Sequence, residues 1–303
     1  MSPIFKAALI QLAPEPLNPT SNFHRASQFI REASAQGADL AVLPEYHLTG
    51  WVADSNALTT HALDWETWIQ KYQSLARELH INIVPGTIVQ ADSSFKSTCD
   101  STKPGSLNQP SLLNVSTFIS DKGEILGTYT KINLWHPERP HLTPSSLSTP
   151  HTVLATPLGP VGILICWDLA FPEAFRALVQ QGAKIIIIPT FWTASDCMVE
   201  GLRLNPKAEA LFVESALTVR AFENTCCVVF VNAGGNDDDG PMGLSQVAMP
   251  FVGKVKGSFE GNEEGLRVVE VDTEILEEAE RHYKVREDMG REDWHYGYSH
   301  GRK

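Results

Sequence analysis

The sequence predicts a single α/β domain, and two observations carry that reading. Short apolar runs rich in β-branched residues alternate with helical patterns from one end to the other, and no long polar linker divides them. The 303 residues, 43% of them hydrophobic, suffice to bury one large core spanning 1–303.

Taken in order, residues 5–12 form a first strand closed by Pro14 and Pro16. Ser21 is a candidate N-cap for a helix to about Ala35, with Phe23, Ala26, Phe29 and Ile30 on one face, and Gly37 ends it. Residues 39–43 are a short buried strand, with Glu45 just beyond it in LPEYHLTGW. Residues 65–79 repeat the helical pattern around Trp68, Tyr72, Leu75 and Leu79, and 81–89 return as a strand through Pro85-Gly86. Residues 91–110, rich in Ser, Thr, Asp and Lys, have the composition of a long surface loop; Cys99 lies in it and is given no role. Strands at 112–119 and 125–129 flank Asp121-Lys122-Gly123, a hairpin signal, and Lys131 opens the loop after them.

A buried strand at 161–165 ends at Cys166, a helical pattern follows at 171–181 with Gly182 as its C-cap, and 184–188 is the next strand. Residues 205–223 read as a long helix and 226–231 as a strand. Hairpin-like strands follow at 245–249, 251–256 and 266–271, then a last helix from Thr273. The tail, about 284–303, carries Trp294, Tyr296 and Tyr298, more aromatics than a free end carries, and packing on a partner subunit explains them.

A formal charge of -12 argues against a nucleic-acid partner, which needs clustered Lys and Arg. The five cysteines are odd in number and form no C-x-x-C pair, so neither a disulfide framework nor a zinc site is expected, and a reducing, cytoplasmic compartment is. The first apolar run is too short for a signal peptide and no window approaches a membrane span. His136 and His141, five apart across prolines, do not share a helix face, and no metal is expected.

Cys166 occupies a sharp strand-to-helix turn, where a thiol can reach a substrate carbonyl while the Trp167 amide donates to an oxyanion. Alone, Cys166 reads more readily as a buried structural cysteine. Glu45, trailed by Tyr46, Leu48 and Trp51, sits where desolvation raises a carboxylate toward neutrality; a solvated strand-end glutamate is the other reading. Lys131 and Glu138 taken singly read as surface charges. Yet Glu45, Lys131 and Cys166 all follow strands, at the carboxyl edge where α/β layers build their sites.

The segments around these three, LPEYHLTGW, YTKINLWHPER and ILICWDLAFPE, resemble the signature segments of the nitrilase superfamily of carbon-nitrogen hydrolases. The resemblance continues through RAFENTCCVVFVNAGG, GLSQVAMPFVGKV and YKVRED, almost the whole chain. It implies a four-layer αββα sandwich that typically pairs into a homodimer. It also implies Cys166 as nucleophile, Glu45 as general base, Lys131 as the cation near the oxyanion, Glu138 as an orienting glutamate and Trp167 N–H as an oxyanion donor. No cofactor is implied. Trp167-Asp168 is closer to the amidase and carbamoylase branches than the Trp-Glu of nitrilases, so a small amide is the expected substrate, ahead of a nitrile or an N-carbamoyl compound. A non-catalytic module does not require all three reactive residues, and a histidine-based thiol hydrolase lacks a histidine at a strand end. Tyr46, Trp51, Trp135, Phe191 and Trp192 are candidate pocket walls. At Ala170, where many relatives carry arginine, the resemblance transfers no preference for carboxylate-bearing substrates.

Overall fold

A computed structural model describes residues 4–96, 110–146, 149–235 and 240–296. Strand β1 (Ile4–Gln11) leads to α1 (Pro19–Ala35). The cap of α1 is Asn18, whose side chain accepts the Ser21 amide, because Pro19 with its fixed φ starts the first turn. Ser21 therefore lies inside the helix and is not its N-cap. Next come β2 (Leu40–Val42), α2 (Ser55–Ala62), which the pattern did not reveal, and α3 (Trp65–Leu79), where it was expected.

The single strand expected at 81–89 is two, β3 (Asn82–Val84) and β4 (Ile88–Lys96). Gly86 breaks them at φ 58, so close beneath Pro44 that a Cβ there would lie 1.8 Å from its carbonyl oxygen. Strand β4 thus runs into the stretch expected to be loop; residues 97–109, with Cys99, lie outside the described residues. The hairpin is β5 (Pro110–Ile119) and β6 (Ile125–Thr130).

After β7 (Leu154–Thr156) and β8 (Gly159–Ile163) comes a 3-10 turn, Cys166–Ala170, then α4 (Pro172–Gln180) and β9 (Ile185–Thr190). A short α5 (Met198–Leu204) precedes α6 (Ala208–Asn224), β10 (Cys227–Asn232) and β11 (Gln246–Met249). The strand expected at 251–256 shrinks to β12 (Gly253–Lys254), because Phe251 turns the chain at φ 64. The last elements are β13 (Gly265–Asp272), α7 (Glu274–Tyr283) and α8 (Val285–Met289). At the start of the tail, Arg286 is fixed on its own chain through Ala183 O at 2.7 Å and Thr225 Oγ1 at 3.2 Å.

The strands form two sheets and not one open layer. One is ordered β13-β1-β2-β3-β5-β4, with β6 also on β5; the other is β12-β11-β10-β9-β8-β7. Alternation along the strands sorts the layers. Ala7 and Leu9 of β1, Ile185 and Ile187 of β9, and Val229 and Val231 of β10 point into one core between the sheets. Ala8 and Ile10 pack outward on α1 and α3, and Ile186, Ile188, Val228 and Phe230 on α4 and α6. The result is the αββα sandwich. Among the described residues no helix is long and apolar enough to cross a membrane.

Candidate active site

The two sheets bring their carboxyl edges together at one place. Strands β2 and β3 are parallel and β5 runs against both β3 and β6, so Glu45 after β2 and Lys131 after β6 leave the same edge of the first sheet. In the second sheet β8 and β9 are parallel, which puts Cys166 and Phe191 on one edge. The Glu45 amide bonds Thr190 O at 3.2 Å and ties the two edges. Glu45, Tyr46, Lys131, Glu138, Cys166, Trp167 and Trp192 all line one cleft of about 540 Å³, counted with its open mouth; Trp51, Trp135 and Phe191 are walls of it as well.

Charge organises the floor of this cleft. Lys131 and Glu45 are each 1% exposed, and Lys131 Nζ sits 2.8 Å from Glu45 Oε1 and 2.8 Å from Glu138 Oε1. Glu45 Oε1 also accepts Asn114 Nδ2 at 2.7 Å, and its Oε2 accepts the Phe191 N–H at 3.0 Å. Glu138 is held through Oε1 by the Tyr46 hydroxyl and through Oε2 by the Trp135 N–H at 2.7 Å. Two of the three ammonium protons are thereby used, and one remains.

Two buried carboxylates share one ammonium, so a proton is the missing counter-charge. Burial pushes Glu45 up to about 7; Lys131 opposes that and Glu138 adds to it. Burial works against the charge of Lys131, but Glu45 and Glu138 outweigh it and hold its pKa well above the ordinary value. The Cys166 thiol is driven well up, first by burial and then by Glu45, with Lys131 in opposition. At neutral pH the resting sulfur is therefore a thiol and needs a base.

The cysteine backbone is itself unusual. Cys166 has φ 47, in the left-handed region, directly after the β8 ladder is extended by Leu164 N–H to Ile187 O. That turn aims the side chain into the cleft. It also opens the 3-10 turn, so the Trp167 amide has no partner within it. Tyr46, next to Glu45, makes a similar bend at φ 55.

Sequence reasoning missed the groups that hold these pieces. Asn114, fully buried in β5, bonds both Glu45 and the Tyr46 hydroxyl. Asp168 accepts four hydrogen bonds: Oδ1 from Asn133 N at 3.1 Å and Nδ2 at 2.8 Å, Oδ2 from Tyr129 OH at 2.8 Å and Ile165 N at 2.9 Å. Tyr129 and Asn133 flank Lys131, and Ile165 precedes Cys166, so one carboxylate clamps the lysine segment to the cysteine turn. A signal existed for each, since a polar residue inside an apolar run has to find partners. Among the described residues no histidine lines the cleft and no group of His, Cys, Asp and Glu could hold a metal ion.

Comparisons with known proteins agree with this architecture. The carbon-nitrogen hydrolase family model matches residues 6–281. The chain is 29% identical to the (R)-stereoselective amidase of a Pseudomonas species over 286 residues, 93% of this chain and 90% of the other. It is 28% identical to the deaminated glutathione amidase of Homo sapiens over 275 residues, covering 87% and 76%. The structure of Saccharomyces cerevisiae Nit3, a member of branch 10 of the nitrilase superfamily, matches with a TM-score of 0.73 at 25% identity, covering 92% and 93%. With the family match spanning nearly all of its length and the sandwich in place, the chain belongs to the carbon-nitrogen hydrolases of the nitrilase superfamily.

Proposed function

We propose that this hydrolase cleaves the C–N bond of a small carboxamide, converting amide and water to acid and ammonia or an amine through a thioester on Cys166. The observation that carries the reading is a thiol in the same cleft as a carboxylate of pKa about 7 and an ammonium with one N–H to spare.

Glu45 takes the thiol proton as Sγ attacks the amide carbon, a transfer suited to a carboxylate near neutrality. The oxyanion is held by the third Lys131 N–H and the Trp167 N–H. Glu45 passes its proton to the nitrogen as the C–N bond breaks, and ammonia or amine leaves a thioester on Cys166. Water then gives a proton to Glu45 and attacks the thioester carbon. Collapse breaks the C–S bond, the sulfur recovers the proton from Glu45, and the acid departs. Glu138 fixes Lys131 throughout.

Amide is preferred to nitrile as substrate because Cys166 is followed by Trp167-Asp168, which resembles the amidase and carbamoylase branches more than the Trp-Glu of nitrilases, and because amidases are among the relatives the chain matches. Incubation with paired amides and nitriles, read as ammonia release, tests this; turnover of nitriles alone overturns it. A homodimer belongs to the same proposal. Its support is an exposed apolar cluster in which Phe251, 44% exposed, packs on Tyr283, 48% exposed, at 5.4 Å and on Phe222 of α6 at 6.3 Å. Sedimentation at micromolar concentration reads the dimer, and a monomer at all concentrations removes it.

A further inference from the structure

The cleft described above holds more negative than positive charge. Lys131 is the one cation among the described residues lining it, and Glu45 and Glu138 already hold it. A third carboxylate, Asp196, lines the wall in the turn after β9. It accepts the Thr193 N–H at 3.0 Å and the Thr193 hydroxyl at 2.7 Å, both neutral donors. Burial raises its pKa and the two Thr193 bonds counter that. The ring of His136, the basic group that acts on Asp196, lies against Trp135 with centroids 4.3 Å apart and does not line the cleft.

The rest of the wall is aromatic. Trp135 and Trp167 meet edge to face at 4.4 Å, Trp167 and Trp192 lie 5.5 Å apart, and Trp51 and Phe191 flank Tyr46. Indole faces attract cations and do not attract carboxylates. Among the described residues no arginine lines the cleft to receive an anionic substituent.

We infer that the preferred substrates are amides whose acyl chain ends in a cation, an ammonium or guanidinium group seated between Asp196 and the tryptophan faces, and that carboxylate-bearing amides are rejected. The inference rests on the amide-hydrolase reading of the same site. An ion pair in a partly desolvated wall and a cation over indole together correspond to a preference of about tenfold to a hundredfold.

The test compares kcat/KM for ω-ammonium amides with two to about five methylenes, for neutral amides of equal length such as hexanamide, and for adipamic acid. The expected order is cationic, neutral, anionic, with the cationic advantage shrinking as salt is raised. In Asp196→Asn, which keeps an oxygen for Thr193, the cationic-to-neutral ratio falls at least about fivefold; taking the ratio within one variant cancels any general loss of activity. Equal rates for cationic and neutral amides, or a preference for adipamic acid, overturn this inference and leave amide hydrolysis standing. Absence of turnover on every amide overturns both.

Discussion

Replacing Glu138 by glutamine tests the electrostatics of the site through a pH profile. Glu45 and Glu138 accept from the same Lys131 Nζ, each at 2.8 Å, which places their nearer oxygens within about 6 Å of one another. At an effective dielectric of about 20, like charges about 6 Å apart repel by about 3 kcal/mol, equivalent to about two pH units. Glu138 is one of the groups that raise Glu45, after burial. The sign follows: without the Glu138 charge, Glu45 loses its proton more readily and the base is available at lower pH. The wild-type acid limb of kcat/KM for an uncharged amide is expected near pH 7, and in Glu138→Gln it moves down to between about pH 5 and 6. The absolute rate falls too, because glutamine sets Lys131 less firmly, but the position of the limb does not depend on that. A limb that stays near 7, or moves up, refutes the reasoning.

Three further outcomes follow from the same geometry. Cys166→Ala abolishes turnover without unfolding the chain, and Cys166→Gly is more stable than Cys166→Ala by roughly 1 kcal/mol in urea denaturation, because φ 47 strains any residue with a Cβ. Asp168→Ala leaves Tyr129, Asn133 and Ile165 without their shared acceptor and is expected to cost about 3 to 5 kcal/mol, with kcat falling more than KM rises; a loss within about 0.5 kcal/mol contradicts the clamp. Gly86→Ala drives a methyl into the Pro44 carbonyl just before Glu45, and a loss of more than about 3 kcal/mol is expected in thermal unfolding; a wild-type midpoint refutes that packing.

The site was more legible than the topology. Glu45 and Cys166 each follow a buried strand and Lys131 follows the half-exposed β6; strand ends are visible in hydropathy, so the placement of all three at strand ends was legible, and the resemblance to the nitrilase superfamily then grouped them. Asn114 was not visible as a site residue because Leu112 and Val115 around it read simply as strand, although an asparagine buried there had to be bonded. Asn18 was passed over for Ser21 because the Asn-Pro pair reads as a turn until Pro19 is seen as a first helical residue. Pairing of β13 with β1 joins the two ends of the chain, and the run of four isoleucines in β9 is apolar on both faces. Neither periodicity nor composition says which sheet such a strand enters; non-local packing decides it.

The most direct measurement is mass spectrometry of the Cys166 peptide after a Glu45→Gln variant has been mixed with a reactive small amide or ester. Glutamine keeps the hydrogen bond to Lys131 but can take a proton neither from the thiol nor from water. An activated acyl donor still acylates Cys166, slowly, while thioester hydrolysis, whose poorer nucleophile is water, is slowed further, so the acyl group is expected to accumulate on sulfur and add its mass to the peptide that holds Cys166. Wild-type enzyme should show that adduct only transiently. Continued amide hydrolysis with no acyl mass on Cys166, or the acyl group on another residue, would contradict the account.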